Sequence, residues 1–373
     1  MSNRILFLQP YLAPYRIDVY NYLSQYFELK VLFWYNEAPE QNFNLEILKR
    51  KCSFSFGYLE NGFIIKDRVI KFDIIKQILK FRPTLIVCHE YGFFTLVSLI
   101  LQRFLRFKVI INSDDNLDML QRTKGIRNLL HKICLTVASG IITNNPNSLE
   151  YLQSQFPKLK NNSTYYPILQ DESHLRQQLS HSLEISRKYI KIHQLQGKKV
   201  LLYIGRLAEV KCLDILIDGF NDLAGVLENI ILIIVGAGPE EQKLREIVAD
   251  YKIDNKIIFT GRKDGEELYA WYNIGQIFVL PSKFEPFGAV VNEALISGNF
   301  VIVSSKVGSK YLLNTDSGLI FESENVEALK EDLKVALGKI YPISNEIKLK
   351  RSKSVHPFLS YTNNLKDFLL NQS

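Results

Sequence analysis

Cysteine, methionine and long apolar segments are scarce in this chain of 373 residues. Its four cysteines and two methionines are scattered, and the cysteines lack the spacing of a metal site. We expect these thiols to be buried in a reducing compartment rather than paired in disulfides. The sequence shows neither a signal peptide pattern nor a segment long and apolar enough to cross a bilayer, so we expect a cytoplasmic protein.

The composition excludes a disordered chain. Hydrophobic residues make up 47% of the sequence and charged residues 23%, which is typical of a globular protein with sizeable cores. A chain of this length usually divides its core between two domains. No internal repeat of solenoid length is visible.

The net positive charge belongs to the first half of the chain. Residues 1–170 carry 21 Lys/Arg and 13 Asp/Glu, a balance of +8, whereas residues 171–373 carry 25 and 26, a balance of −1. The basic residues alternate with apolar ones, which suits either an anionic membrane surface or ordinary solvated helix faces. A nucleic-acid partner is not expected, because no binding motif accompanies the charge.

Short apolar runs alternate with helical patterns throughout the chain. "RILFLQ", "TLIVCHE" and "KVIINS" occur in the first half, and "KVLLYIG", "IILIIVG" and "FVIVSS" in the second. Strands that are apolar on both faces and separated by helices indicate parallel sheets. We predict an α/β fold of two doubly wound Rossmann-like domains at residues 1–167 and 197–355, a linker at 168–196 and a C-terminal helix at 356–373.

Polar residues follow the predicted strands of the second half, where ligands of open α/β sheets bind. Gly205, Arg206 and Lys211 come after "VLLYI". Two cations beside a helix start can converge on an anion, although a loop with solvated cations is the alternative. Arg262 follows the strand "KIIFTG" and is predicted to contact a nucleotide base or to lie in an exposed turn.

The sequence "GAGPEEQKLR" contains only part of a dinucleotide fingerprint. Gly236 and Gly238 are present, but Glu241 occupies the third glycine position and follows Glu240. Two carboxylates at a helix start repel a pyrophosphate, so we exclude an NAD site. Gly236 is instead predicted to form a tight turn in a pocket wall.

Two glutamates flank a Pro-Phe-Gly step in "PSKFEPFGAVVNEALISG", residues 281–298. Glu285 precedes a predicted helix and Glu293 lies about two turns away, which indicates different roles. The amides of residues 287–289, which are Phe287, Gly288 and Ala289, are predicted to cradle a phosphate at the helix start.

These motifs resemble those of the family-four retaining glycosyltransferases of the GT-B architecture, of the type that assembles bacterial glycans. The resemblance spans residues 197–322 and is looser in the first half, through "CHEYG", "ASGIITNN" and "YP". It implies two domains facing a cleft, with the C-terminal helix crossing back to the first. Cys212 departs from the pattern where glycine usually follows the lysine, as do residues 308–311.

The resemblance also implies roles for single residues. Arg206 and Lys211 neutralise the diphosphate of a nucleotide-sugar donor, Glu293 holds the ribose, and Glu285 contacts the transferred sugar. His89, which ends a buried strand, lies near that sugar. Fixed cations and helix amides stabilise the anionic leaving group, so no metal or other cofactor is expected.

The first domain is implied to bind the acceptor, with Tyr15 and Arg16 as candidate residues after the first strand. We therefore expect a retaining hexosyltransferase that moves a sugar to a glycan or lipid-linked acceptor, and that is peripheral to the membrane if the basic residues bind one. The alternatives are another GT-B nucleotide-sugar enzyme, such as an epimerase, and a non-catalytic sugar-nucleotide-binding partner of a glycan-assembly complex.

Overall fold

The structure of the protein is a computed structural model that describes residues 3–37, 44–65, 68–344 and 346–373. The chain divides into two compact units. Unit 1 contains the residues up to 170 together with 358–373, and unit 2 contains residues 171–357.

The strands and helices alternate along most of the chain. The strands are β1 (Arg4–Gln9), β2 (Glu28–Phe33), β3 (Ser55–Tyr58), β4 (Gly62–Ile65), β5 (Arg68–Lys71), β6 (Leu85–His89), β7 (Lys108–Ser113), β8 (Gly140–Thr143), β9 (Ser163–Tyr165), β10 (Lys199–Ile204), β11 (Ile230–Val235), β12 (Ile257–Gly261), β13 (Ile277–Leu280), β14 (Phe300–Ser304) and β15 (Gly318–Phe321). The helices are α1 (Pro14–Leu23), α2 (Leu45–Arg50), α3 (Asp73–Phe81), α4 (Phe93–Leu101), α5 (Leu117–Arg122), α6 (Gly125–Val137), α7 (Pro146–Gln155), α8 (Glu172–His181), α9 (Leu183–Ile192), α10 (Leu213–Val226), α11 (Glu241–Asp250), α12 (Gly265–Ile274), α13 (Ala289–Ile296), α14 (Val326–Gly338) and α15 (Phe358–Gln372).

Each unit is built on one parallel sheet. The order is β3-β2-β1-β6-β7-β8-β9 in unit 1 and β12-β11-β10-β13-β14-β15 in unit 2. All neighbouring pairs run parallel. In both sheets the order reverses beside the first strand of the unit, which is where doubly wound sheets bind ligands. The predicted α/β class with two doubly wound sheets is confirmed.

The central strands are apolar on both faces because helices cover both sides of the sheet. Every residue of β11, β13 and β14 is buried. A short antiparallel hairpin, β4–β5, was not predicted. All residues of β4 are exposed, although three of its four residues, Phe63, Ile64 and Ile65, are apolar.

Residues 168–196, predicted as a linker, largely form α8 and α9. Both helices belong to unit 2, and their inner faces bury Leu175, Leu179 and Ile190. Their outer faces are polar, which is why the sequence suggested a segment outside the domains. The buried amide of Asn273 on α12 donates to the Leu179 carbonyl at 2.8 Å and to the Ser186 hydroxyl at 3.3 Å.

The C-terminal helix α15 is part of unit 1. It begins at Phe358, two residues later than predicted, and buries Leu365 and Leu369. The side chain of Gln372 donates to Asn162 at 3.2 Å. The last residues of the chain thereby complete the core of the unit that contains the first ones.

We expect Asn273→Ala to destabilise unit 2. The Leu179 carbonyl is one of the last four of α8, which have no partner within the helix. Leaving this buried acceptor unpaired should lower the free energy of unfolding by about 1–3 kcal/mol in urea titrations. Asn255→Ala, an exposed asparagine of the same unit, is the control, and an equal effect of both variants contradicts the assigned role.

Candidate active site

The loops that follow β10 and β13 bring a lysine and a glutamate together in unit 2. The ammonium of Lys211 pairs with the Glu285 carboxylate, and both side chains are largely buried, at 18% and 14% exposure. Backbone hydrogen bonds fix the two loops. The Lys283 amide donates to the Val210 carbonyl at 3.0 Å, and the Gly308 amide donates to the Glu285 carbonyl at 2.9 Å.

Gly288 forms the step between Glu285 and helix α13. Its φ of +88° lies in the left-handed region, and a Cβ there would meet Glu285 Cγ at 3.1 Å and Ser309 Oγ at 3.3 Å. Ser309 stabilises the backbone at Gly288 through two hydrogen bonds. Its amide donates to the Phe287 carbonyl at 2.8 Å, and its hydroxyl donates to the Gly288 carbonyl at 3.2 Å. Helix α13 begins at Ala289, so the amide of this residue has no intrahelical acceptor. The Val291 amide, in the same turn, donates to the Gly288 carbonyl at 3.0 Å.

Glu293 lies in α13 and is half-buried. The hydroxyl of Tyr272, a fully buried residue of α12, donates to Glu293 Oε2 at 2.6 Å. Burial, and next the Glu293 charge, raise the Tyr272 pKa well above its usual value, so the phenol remains a donor. Tyr272 therefore orients the carboxylate. The sequence analysis missed it, because a tyrosine within a helix gives no sign of its distant partner.

Gly205 and Gly236 bring the loops after β10 and β11 into backbone contact. The Gly205 amide donates to the Val235 carbonyl, and the Gly236 amide to the Gly261 carbonyl, both at 3.0 Å. Gly236 has a φ of +152°, and a Cβ there would lie 1.9 Å from the Gly205 carbonyl oxygen. Only glycine fits this approach. Arg206, which is exposed, follows Gly205 directly in the sequence.

Arg262 lies in the turn after β12. Its guanidinium donates to both carboxylate oxygens of Asp264, at 3.1 and 3.3 Å, and its side chain is 36% exposed. The sequence left two interpretations of Arg262 open, and this geometry agrees with the one that places it in an exposed turn. A contact of Arg262 with a nucleotide base stays a prediction.

Unit 1 contains a second cluster, at the carboxyl ends of β6 and β7. The Arg16 guanidinium donates to both Asp114 oxygens, at 2.8 and 2.6 Å. His89 Nδ1 lies 3.9 Å from Asp114 Oδ2, and among the described residues it has no hydrogen-bond partner. Burial lowers the His89 pKa to about 4, against a smaller opposing effect of Asp114. Tyr15 precedes Arg16 in the first turn of α1, and burial raises its pKa.

Glu90 supports this cluster from a left-handed backbone conformation, with a φ of +56°. Its carboxyl accepts the Asp114 amide at 2.6 Å and the Ser113 hydroxyl at 3.2 Å. Burial, followed by the neighbouring acids, raises its pKa well above the usual value. The sequence analysis did not place Glu90 or Asp114 in the site, since their contacts join separate strands.

The aspartates of the segment "SDDNLD", residues 113–118, pair with arginine side chains. Asp114 pairs with Arg16, and Asp115 lies 3.3 Å from Arg127. Within the described ranges, no group of three or more histidine, cysteine or acidic side chains is arranged to hold a metal ion. Likewise, the described residues include no helix with the length and apolarity needed to cross a bilayer.

The architecture matches solved structures of the GT-B class along nearly the whole chain. Anabaena HepE in complex with UDP has a TM-score of 0.72 at 16% identity, covering 99% of this chain and 95% of that one. WaaG, a glycosyltransferase involved in lipopolysaccharide biosynthesis, has a TM-score of 0.61 at 13% identity, covering 99% and 96%. The predicted GT-B architecture is confirmed.

Residues 186–339 match the model of the family described as glycosyl transferases group 1. The resemblance inferred from the motifs of residues 197–322 is thereby confirmed for this part of the chain. The GDP-mannose-dependent alpha-mannosyltransferase of Corynebacterium glutamicum is 37% identical over 38% of this chain and 31% of its own length. The mannosylfructose-phosphate synthase of Agrobacterium fabrum is 37% identical over 28% of this chain and 25% of its own length. The matches thus span about a quarter to a third of these relatives.

We expect His89 to make the stability of unit 1 depend on pH. Its folded pKa of about 4 is below the unfolded value of about 6.5, so the native state binds fewer protons between these limits. Its contribution is fully present above pH 6.5 and is lost as the pH falls to 4, by at most about 1.4 kcal/mol per pH unit. His89→Gln should flatten this part of the urea-unfolding profile, whereas His181→Gln, an exposed histidine, should not. Parallel wild-type and His89→Gln profiles contradict the assignment.

Proposed function

We propose that the protein is a retaining glycosyltransferase that moves a sugar from a nucleotide-sugar donor to a glycan or lipid-linked acceptor. The observation that carries this proposal is the pairing of Lys211 with Glu285 beside the start of α13. It occurs within the segment that matches glycosyl transferases group 1. The UDP and UDP-glucose complexes of HepE support a nucleotide sugar as the donor.

Lys211 and Arg206 neutralise the donor diphosphate in this proposal. An ammonium has three N–H donors, so Lys211 can keep its bond to Glu285 while it binds a phosphate oxygen. As the bond between the anomeric carbon and the diphosphate breaks, negative charge grows on the leaving oxygen. Fixed cations and the first amides of α13 stabilise that charge. This scheme needs no metal ion.

Glu293 and Glu285 contact different parts of the donor. Glu293, oriented by the Tyr272 hydroxyl at 2.6 Å, accepts hydrogen bonds from the ribose. Glu285, on the other side of the Gly288 step, contacts the transferred sugar. Ser309 supports this arrangement through its two bonds to the step.

The acceptor binds to unit 1 in this proposal, beside Arg16, Tyr15 and His89. The alpha-monoglucosyldiacylglycerol synthase of Streptococcus pneumoniae, 30% identical over 34% of this chain and 28% of its own length, supports a lipid-linked acceptor. We place the reaction in the cytoplasm, peripheral to the membrane. All four cysteines are free thiols, and Cys88, Cys134 and Cys212 are buried, which suits a reducing compartment.

The decisive experiment is to incubate the pure protein with UDP-, GDP- and ADP-sugars, with and without glycan or lipid-linked acceptors, and to measure nucleotide release. Release that requires an acceptor and yields a product of retained anomeric configuration supports the proposal. Conversion of the donor without an acceptor indicates the epimerase alternative. Nucleotide binding without turnover across the panel indicates a non-catalytic partner.

Lys211→Ala should lower turnover by about 10²-fold or more, the scale for losing one preorganised donor to a developing charge. Arg206→Ala should act in the same direction. Lys334→Ala is the matched control, since this lysine lies on α14 and pairs with Glu331. Near-wild-type turnover of both site variants contradicts the diphosphate assignment.

Substitution of Glu293 should mainly weaken nucleotide binding, whereas substitution of Glu285 should mainly lower turnover. Glu293→Ala removes bonds to hydroxyls that donor and free nucleotide share, so it should weaken nucleoside diphosphate affinity by about 1.5–3 kcal/mol in calorimetry. Glu285→Ala should cut turnover and leave that affinity nearly intact, because its partner is the sugar. Equal losses of nucleotide affinity in the two variants would show that the orientation assigned to the donor, with its ribose at Glu293 and its sugar at Glu285, is wrong.

A further inference from the structure

Helix α6 exposes an apolar stripe on its outer face. Ile126, Leu129, Ile133 and Val137 follow one another at intervals of three and four residues, and are 77%, 57%, 46% and 44% exposed. The opposite face of the helix buries His131, Cys134 and Leu135. These side chains therefore contribute little to the core of unit 1. Exposed apolar surfaces of this kind usually bind a membrane or another protein.

The stripe continues onto the end of α4. Ile100 is 61% exposed and Phe104, just beyond the helix, is 80% exposed. The side chain of Gln102 donates to the Val137 carbonyl at 3.4 Å, so the carboxyl ends of the two helices are adjacent. We call the surface formed by these six apolar residues the α4–α6 face (Ile100, Phe104, Ile126, Leu129, Ile133 and Val137).

The two chain segments that form the α4–α6 face carry charge of a single sign. Residues 91–113 and 119–149 contain no aspartate or glutamate. The exposed basic residues of these segments include Arg103, Arg106, Lys108, Arg122, Lys124, Arg127 and Lys132. Arg122 and Arg127 contact Asp118 and Asp115, which lie between the two segments.

We propose that the α4–α6 face binds the surface of an anionic lipid bilayer. Its apolar side chains enter the boundary between headgroups and acyl chains, and the lysines and arginines remain at the level of the phosphates. A protein partner fits less well, since lysine is depleted from protein interfaces and a protein would have to supply a large acidic surface.

The location of the face gives this binding a role, which rests on the proposed function. Arg127, near the amino end of α6, reaches Asp115 directly after β7 at 3.3 Å. The cluster of Arg16, Asp114 and His89 lies at the same edge of the sheet. A lipid-linked acceptor whose chain stays in the bilayer would thus present its headgroup near that cluster.

The test is sedimentation of the full chain with two kinds of vesicle, one of phosphatidylcholine alone and one with about 30% phosphatidylglycerol. We expect binding to the anionic vesicles that is largely lost at about 0.5 M salt, because surface charges are then screened within a few ångströms. The double variant Ile126→Ser/Leu129→Ser should reduce vesicle affinity at least about tenfold, since two apolar side chains lose their burial.

The matched control is Ile192→Ser/Val226→Ser, two residues of unit 2 that are 68% and 82% exposed, which should keep full vesicle affinity. Absence of vesicle binding at low salt, or equal effects of the two double variants, overturns the inference. Self-association in light scattering that Ile126→Ser/Leu129→Ser abolishes, without vesicle binding, assigns the face to a protein contact and also overturns it. Calorimetry with a nucleoside diphosphate, run in parallel, shows separately whether the proposed function fails.

Discussion

The candidate site depends on the parallel pairing of strands that are buried on both faces. Parallel strands end at the same edge of a sheet, and each must be followed by a crossover that returns the chain. The residues after β10, β11 and β13 therefore meet, although they are distant in sequence. Because the strands themselves are apolar, polar chemistry is confined to the loops at that edge.

Backbone contacts, more than side-chain bonds, determine where Lys211 and Glu285 meet. The amides of Lys283 and Gly308 tie the loops together, and Gly236 lets two further loops approach. Taking an ammonium and a carboxylate out of water costs free energy that their attraction offsets only in good geometry. The pair therefore adds little to the stability of unit 2, which comes from the apolar layers beneath; in the proposed function its role is to bind the donor.

The sequence predicted the sheets well because their signal is local. The limits of β1 and β7 coincide with the predicted runs, and those of the other predicted strands agree to within a few residues. The hairpin β4–β5 was missed because each of its strands has only four residues. The place of α8 and α9 in unit 2 was missed because their outer faces are polar, as in a linker between domains. The glutamates around Gly288 were found from their spacing, whereas Tyr272 was missed because its bond to Glu293 joins two helices.

The two polar clusters differ in electrostatic character, and this difference matches the two substrates of the proposed reaction. In unit 1, Arg16 is matched by Asp114, burial lowers the His89 pKa, and the Glu90 pKa is raised. Such a cluster carries little net charge and offers neutral donors and acceptors, which suits hydroxyl groups. In unit 2, Glu285 pairs with Lys211, whereas the exposed Arg206 and the start of α13 favour an anion. A diphosphate therefore has a favourable site in unit 2, whereas the cluster of unit 1 suits an uncharged sugar.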